Sequence, residues 1–138
     1  MEPQVLSIVV GFIRSPEGRA ALEHAEKEAR LRPARLVIVH SSRGGGGERP
    51  EDALADREEL ERVGERLAAA GVAHEVRELA RGGSPAADLV DVANEVGAAM
   101  IVIGLRRRSR VGKLILGSNA QDILLGADCP VLAVKPAD

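Results

Sequence analysis

Met100-Ile101-Val102-Ile103-Gly104, followed thirteen residues later by Gly117-Ser118, decides how this chain is read. An unbroken apolar run is the pattern of a parallel strand buried on both faces, and a Gly at its carboxyl end lets a ligand approach the backbone closely. Gly117-Ser118 then offers free backbone N–H groups and a capping hydroxyl at a helix N-terminus, where the helix dipole favours an anion. Strand, arginine-crowded loop and helix start together propose a phosphate site.

Outward from this unit, four more short aliphatic runs, residues 5–11, 35–40, 74–79 and 131–134, alternate with four segments of helical period. Such alternation predicts an α/β domain, a parallel sheet with crossover helices. The run at 74–79 is the weakest, because Val76 and Leu79 do not alternate cleanly among charges, and it suits an edge strand. Ser15-Pro16 places a cap before a proline in a first helical turn, with Ala21, Leu22, Ala25 and Ala29 as the apolar stripe. The second helix follows Pro50, with Leu60, Val63, Leu67 and Ala70 inward and Gly71 as its stop. Ser84-Pro85 opens the third, which buries Ala86, Leu89, Ala93 and Val96 and ends at Gly97; the fourth starts near Ser118 and buries Ala120, Ile123, Leu124 and Ala127. Right-handed crossovers put all strand carboxyl ends on one edge, where ligands bind at the reversal of strand order. Gly11 and Gly104 are candidates for neighbours there.

At 138 residues the chain fits one domain, spanning 1–138, that can bury its own core. Apolar residues make up 45% and aromatics 1%, so the core is aliphatic; the absence of Trp and Tyr removes the stacking platforms that single-stranded nucleic acids need. The formal charge of -2 supplies no field toward DNA or an anionic membrane, so neither is expected as a partner. One cysteine, Cys129, excludes an internal disulfide; with no secretion-type start and no apolar run near the ~20 residues that span a bilayer, the expected compartment is the cytoplasm. Residues 41–48, rich in Gly, read as a surface loop.

With the elements laid out, the chain resembles the universal stress protein family over nearly its whole length. The resemblance is carried by residues 9–16, 37–40, Gly83-Ser84-Pro85, Ile101-Val102-Ile103-Gly104, Gly117-Ser118 and residues 129–134. It implies an open Rossmann-like sheet of five parallel strands, order 3-2-1-4-5, with helices on both faces, and commonly a homodimer joined along the last strand, here Val131 to Val134. The family's nucleotide-binding branch carries Gly-x2-Gly-x9-Gly-Ser/Thr, which holds the phosphates and ribose of ATP. Gly104, Gly117 and Ser118 fall on that pattern, while its second glycine is Arg107. Arg107 either blocks the close backbone approach that Gly permits or reaches a phosphate with its guanidinium. Where ATP-binding members present an Asp to the nucleoside, this chain has Ile13, which accepts no hydrogen bond. Residues 37–39, ending in Val39, supply an apolar wall of the kind the family sets beside adenine.

The expected site is therefore Gly11, Val39, Gly104, Arg107, Gly117 and Ser118, with ATP or another adenine nucleotide as ligand. The rival reading is a dimeric interaction module of the same fold with a protein partner, supported by Ile13 and Arg107. The other polar features read blandly. Residues 106–110 are an arginine-rich loop tip beside the anion site, and Gly112-Lys113 is no Walker loop, because Leu114 replaces the metal-binding Ser or Thr. His24, His40 and His74 sit on different elements and share no zinc-ligand spacing; His40 is read as ending the second strand, and Cys129 as a small buried residue before the last strand. The carboxylates of the first three helices, Glu26 among them, read as solvated faces, with Asp88 and Asp91 off the apolar stripe. No nucleophile with a base in reach is legible, so nothing in the chain argues for an enzyme.

Overall fold

The computed structural model describes residues 6–41, 49–79, 84–106 and 116–136. Along them run β1 (Leu6–Gly11), α1 (Pro16–Leu31), β2 (Ala34–Ser41), α2 (Pro50–Ala69), β3 (His74–Leu79), α3 (Pro85–Val96), β4 (Met100–Gly104), α4 (Ser118–Gly126) and β5 (Val131–Val134). The strands pair in parallel in the order β3-β2-β1-β4-β5, with β3 and β5 at the edges. The chain thus builds outward from β1 in one direction, then returns to lay β4 on its other side. The crevice expected of such a reversal lies between β1 and β4.

Alternation along the strands sends successive side chains to opposite faces and creates two aliphatic layers. Ile8, Val10, Leu36, Ile38, Met100 and Val102 meet α1 and α2 on one face. Val9, Val37, Val39, Ile101 and Ile103 meet α3 and α4 on the other. Each strand side chain taken fully out of water contributes roughly 1.5 to 3 kcal/mol of hydrophobic stabilisation, before entropy is counted against it.

Helix starts follow local chemistry. Ser15 accepts from the Gly18 amide at 3.1 Å and Ser84 from the Ala87 amide at 3.4 Å, each just ahead of a proline that needs no N–H partner. The third helix ends in Gly97 at φ 61°, and Gly71 follows the second at φ 74°, both in left-handed backbone that side chains resist.

The structure corrects several expectations. β2 runs one residue further at each end than expected, so His40 lies inside the strand. Ala70 is exposed rather than inward, because the second helix has already ended at Ala69. On α4 only Ile123 is buried; Leu124 is exposed, since nine residues leave a single inward position against the sheet. Two carboxylates read as solvated are buried. Glu26 is paired with Arg30 at 3.0 Å and with Arg66 of α2, and Asp88 accepts a hydrogen bond from Ser41. Hydrophobic pattern misses such positions because a paired acid occupies core space as well as an apolar side chain does.

Candidate functional site

The carboxyl ends of β1, β2 and β4 open into a cleft of about 170 Å³ closed by the first turns of α1, α3 and α4. Its deeper lobe is mostly apolar, walled by Gly11, Phe12, Val39, Leu89 and Ile103, with Ser41 and Asn119 also lining it. A second, more polar lobe continues from it past Gly104 to Arg106, Gly117, Ser118 and Asn119. Ile13 and Glu17 line both lobes. Apolar walls with a few convergent polar groups are the usual make-up of a small-molecule site.

Five of the six expected site residues meet here. Gly11, Val39 and Gly104 line the apolar lobe, and Gly104, Gly117 and Ser118 the polar one. Arg107 lies outside the described residues, as do Gly83 and most of the arginine-rich loop. Val39 is almost fully buried, and its carbonyl accepts the Phe12 amide at 2.8 Å. It therefore offers the cleft an apolar surface.

Two expected roles change. A Cβ on Gly104 would lie 2.1 Å from the Glu17 carbonyl oxygen, so glycine is required there by the packing of β4 against the start of α1, before any ligand is considered. On Gly11 a Cβ would meet only the Leu89 side chain at 3.5 Å, an ordinary contact. Ser118 does not cap α4. Gly117 holds the cap position without a side chain, and Ser118 is the first helical residue. The first-turn amides of a helix have no intrahelical acceptor, so this turn presents donors to the polar lobe.

Glu17 is the polar group that sequence reasoning missed. Its carboxylate is 14% exposed and stands 3.5 Å from the Arg106 guanidinium, across the lobe. The signal was available: α1 begins only five residues after Gly11, so its first turn must rise at the same sheet edge. Ile13, at the rim, is 55% exposed.

The remaining candidates sit elsewhere. His40 packs edge-on against Phe12 at 5.7 Å between centroids, with Nε2 3.2 Å from Asp56 of α2 and Nδ1 4.0 Å from Glu78 of β3. Arg14 binds the other oxygen of Asp56 at 2.9 Å, and that hydrogen bond holds its guanidinium pKa above the ordinary value. This cluster ties α2 to the loop after β1, and of its members Phe12 lines the cleft. Burial pushes the half-buried Cys129 thiol up, away from the thiolate a nucleophile needs. Among the described residues no helix is long and apolar enough to cross a membrane.

Comparison with known proteins agrees with this architecture. A universal stress protein from Mycolicibacterium smegmatis is 40% identical over 134 residues, 94% of this chain and 97% of that one. A solved universal stress protein from Archaeoglobus fulgidus superposes with a TM-score of 0.81 at 41% identity, covering 96% of this chain and all of that one. A structure from the same organism in complex with dAMP gives 0.75 at 37%, covering 94% and 98%. The model of the universal stress protein family matches residues 6–135, and the chain belongs to that family.

Proposed function

We propose that this protein is a cytoplasmic stress-response protein that binds ATP or another adenine nucleotide in the cleft between β1 and β4. The carrying observation is the two-lobed cleft at the reversal of strand order, apolar at one end and rich in helix-terminal amides at the other. The apolar lobe suits a planar base against Val39 and Leu89. Amides of the first turn of α4, the Ser118 hydroxyl and Arg106 suit a phosphate. The relative from Archaeoglobus fulgidus solved with dAMP supports the same ligand class.

Ile13 lacks the acceptor that nucleotide-binding relatives place on the nucleoside, a loss worth about 1 to 3 kcal/mol in a buried site. Glu17 brings a carboxylate to the same cleft from one helical turn later. It suits the sugar hydroxyls, with Arg106 balancing its charge against the phosphate. Homodimerisation through Val131–Val134 belongs to the same proposal, supported by the edge position of β5 and its half-buried Val131, Leu132 and Ala133. The exposed Ile13 side chain favours a second reading, in which the cleft rim docks a protein partner.

The deciding experiment is the ultraviolet spectrum of protein purified without added nucleotide, with mass analysis of what heating releases. The chain has no Trp or Tyr, so a bound base dominates near 260 nm. A stoichiometric band with ATP, ADP or AMP in the supernatant is the expected result. A flat spectrum, together with no thermal shift in millimolar ATP, favours the protein-docking reading instead.

A further inference from the structure

The two lobes of the cleft share a junction lined by Ile13, Glu17, Gly104, Asn119 and Ala120. Among the described residues lining the cleft, Glu17 is the one carboxylate, and its side chain is 14% exposed against 58% for Arg106 beside it. Ser15 already caps α1 by accepting from the Gly18 amide, so the Glu17 side chain is not spent on its own helix. Its backbone is held at the end of β4, where a Cβ on Gly104 would lie 2.1 Å from the Glu17 carbonyl oxygen. The carboxylate therefore stands on a fixed support.

In a nucleotide the sugar links base to phosphate. With the base in the apolar lobe and the 5′-phosphate in the polar one, the sugar falls at this junction. An ionised carboxylate only accepts hydrogen bonds, and both sugar hydroxyls can donate. In other nucleotide-binding sheets a carboxylate takes a ribose hydroxyl, whereas a phosphate on that hydroxyl is met by an arginine. Here both charges are present, and their surroundings decide between them. Coulomb energies grow as water is excluded, so the charge on Glu17 outweighs the more solvated charge on Arg106, which also has the 5′-phosphate to balance. Asn119 both donates and accepts and adds no charge.

We propose that Glu17 is a specificity-determining residue of this cleft: it takes the free hydroxyls of the sugar and excludes nucleotides that carry a second phosphate on one of them. The inference rests on the nucleotide reading above and deepens it, from the class of ligand to the substitution of its sugar. A nucleotide phosphorylated only at the 5′ position offers Glu17 two donors. One phosphorylated at the 2′ or 3′ position as well sets a phosphate against the carboxylate, in a place with little water to screen the two charges.

The test is calorimetric titration of the full chain with AMP, adenosine 2′,5′-bisphosphate and adenosine 3′,5′-bisphosphate. The three share base, sugar and 5′-phosphate. The parent is expected to prefer AMP over each bisphosphate by at least about tenfold. Glu17→Gln keeps the shape and removes the charge, so both ratios should fall close to one. Exclusion by size alone, or a purely structural Glu17, leaves the ratios unchanged in that variant and overturns the proposal. Circular dichroism checks the fold. If the variant does not fold, the parent decides with 2′-deoxy and 3′-deoxy AMP: weaker binding of either supports the proposal, and full affinity for both overturns it. A parent that binds either bisphosphate as tightly as AMP overturns it while leaving nucleotide binding intact, and binding of none of these nucleotides overturns both readings.

Discussion

The two faces of the sheet are built differently. On one, α1 and α2 run 16 and 20 residues and are tied together by ion pairs, Glu26 to Arg66 and Arg19 to Glu59 at 3.0 Å. On the other, α3 and α4 run only 12 and 9 residues, α4 buries a single side chain, and the cleft opens between them and the strand ends. The long-helix face holds the larger buried cluster, reaching from Phe12 to Val72 and Val134. The candidate site opens where the first turns of α3 and α4 meet the first turn of α1 at the strand ends.

The sharpest way to break this comparison is to cut equivalent side chains on both faces. Leu67 of α2 is fully buried between long elements that cannot collapse around a hole, so Leu67→Ala should cost about 4 kcal/mol in denaturant unfolding. Ile123→Ala should cost about 2 kcal/mol, because a short helix beside an open cleft can settle inward. Equal losses would mean that the short face is packed as rigidly as the long one.

Gly104 joins the two faces, and the second prediction concerns it. Gly104→Ala should destabilise by about 3 kcal/mol, since its methyl meets backbone of α1 that cannot rotate away. Gly11→Ala should cost less than about 1 kcal/mol against the Leu89 side chain. If the two variants unfold at the same denaturant concentration, Gly104 is not required by close packing against the start of α1.

The smallest stability effect is expected at Ser118. An exposed first-turn residue that is not the cap should change unfolding by no more than about 0.5 kcal/mol when replaced by Ala. Its nucleotide affinity should nevertheless fall. Unchanged ATP affinity in Ser118→Ala would remove the hydroxyl from the site and leave the phosphate to backbone amides and arginine.

Much of this was legible before any coordinates. The strands at 74–79, 100–104 and 131–134 were read at their observed bounds; in the last two an uninterrupted aliphatic run leaves little freedom in where a strand begins, and the charged run at 74–79 forms the edge strand β3. The family resemblance supplied the strand order, which alternation alone cannot. Ser15-Pro16 and Ser84-Pro85 announced their helices because capping is local chemistry. Ser118 was misassigned for a related reason: Gly and Ser are both good caps, and one residue of phase decides between them.

What the sequence determined by itself is everything that depends on neighbours along the chain: element type, most element bounds, the aliphatic layers, and a glycine-serine helix start beside a buried strand. What only the tertiary structure decided depends on residues far apart in sequence arriving at one place. Glu17 faces Arg106 across 89 positions, Ser41 meets Asp88 across 47, and Glu26 meets Arg66 across 40. In each case a charge that reads as solvent-facing is drawn inside, because a partner from another element restores the hydrogen bonds that burial removes.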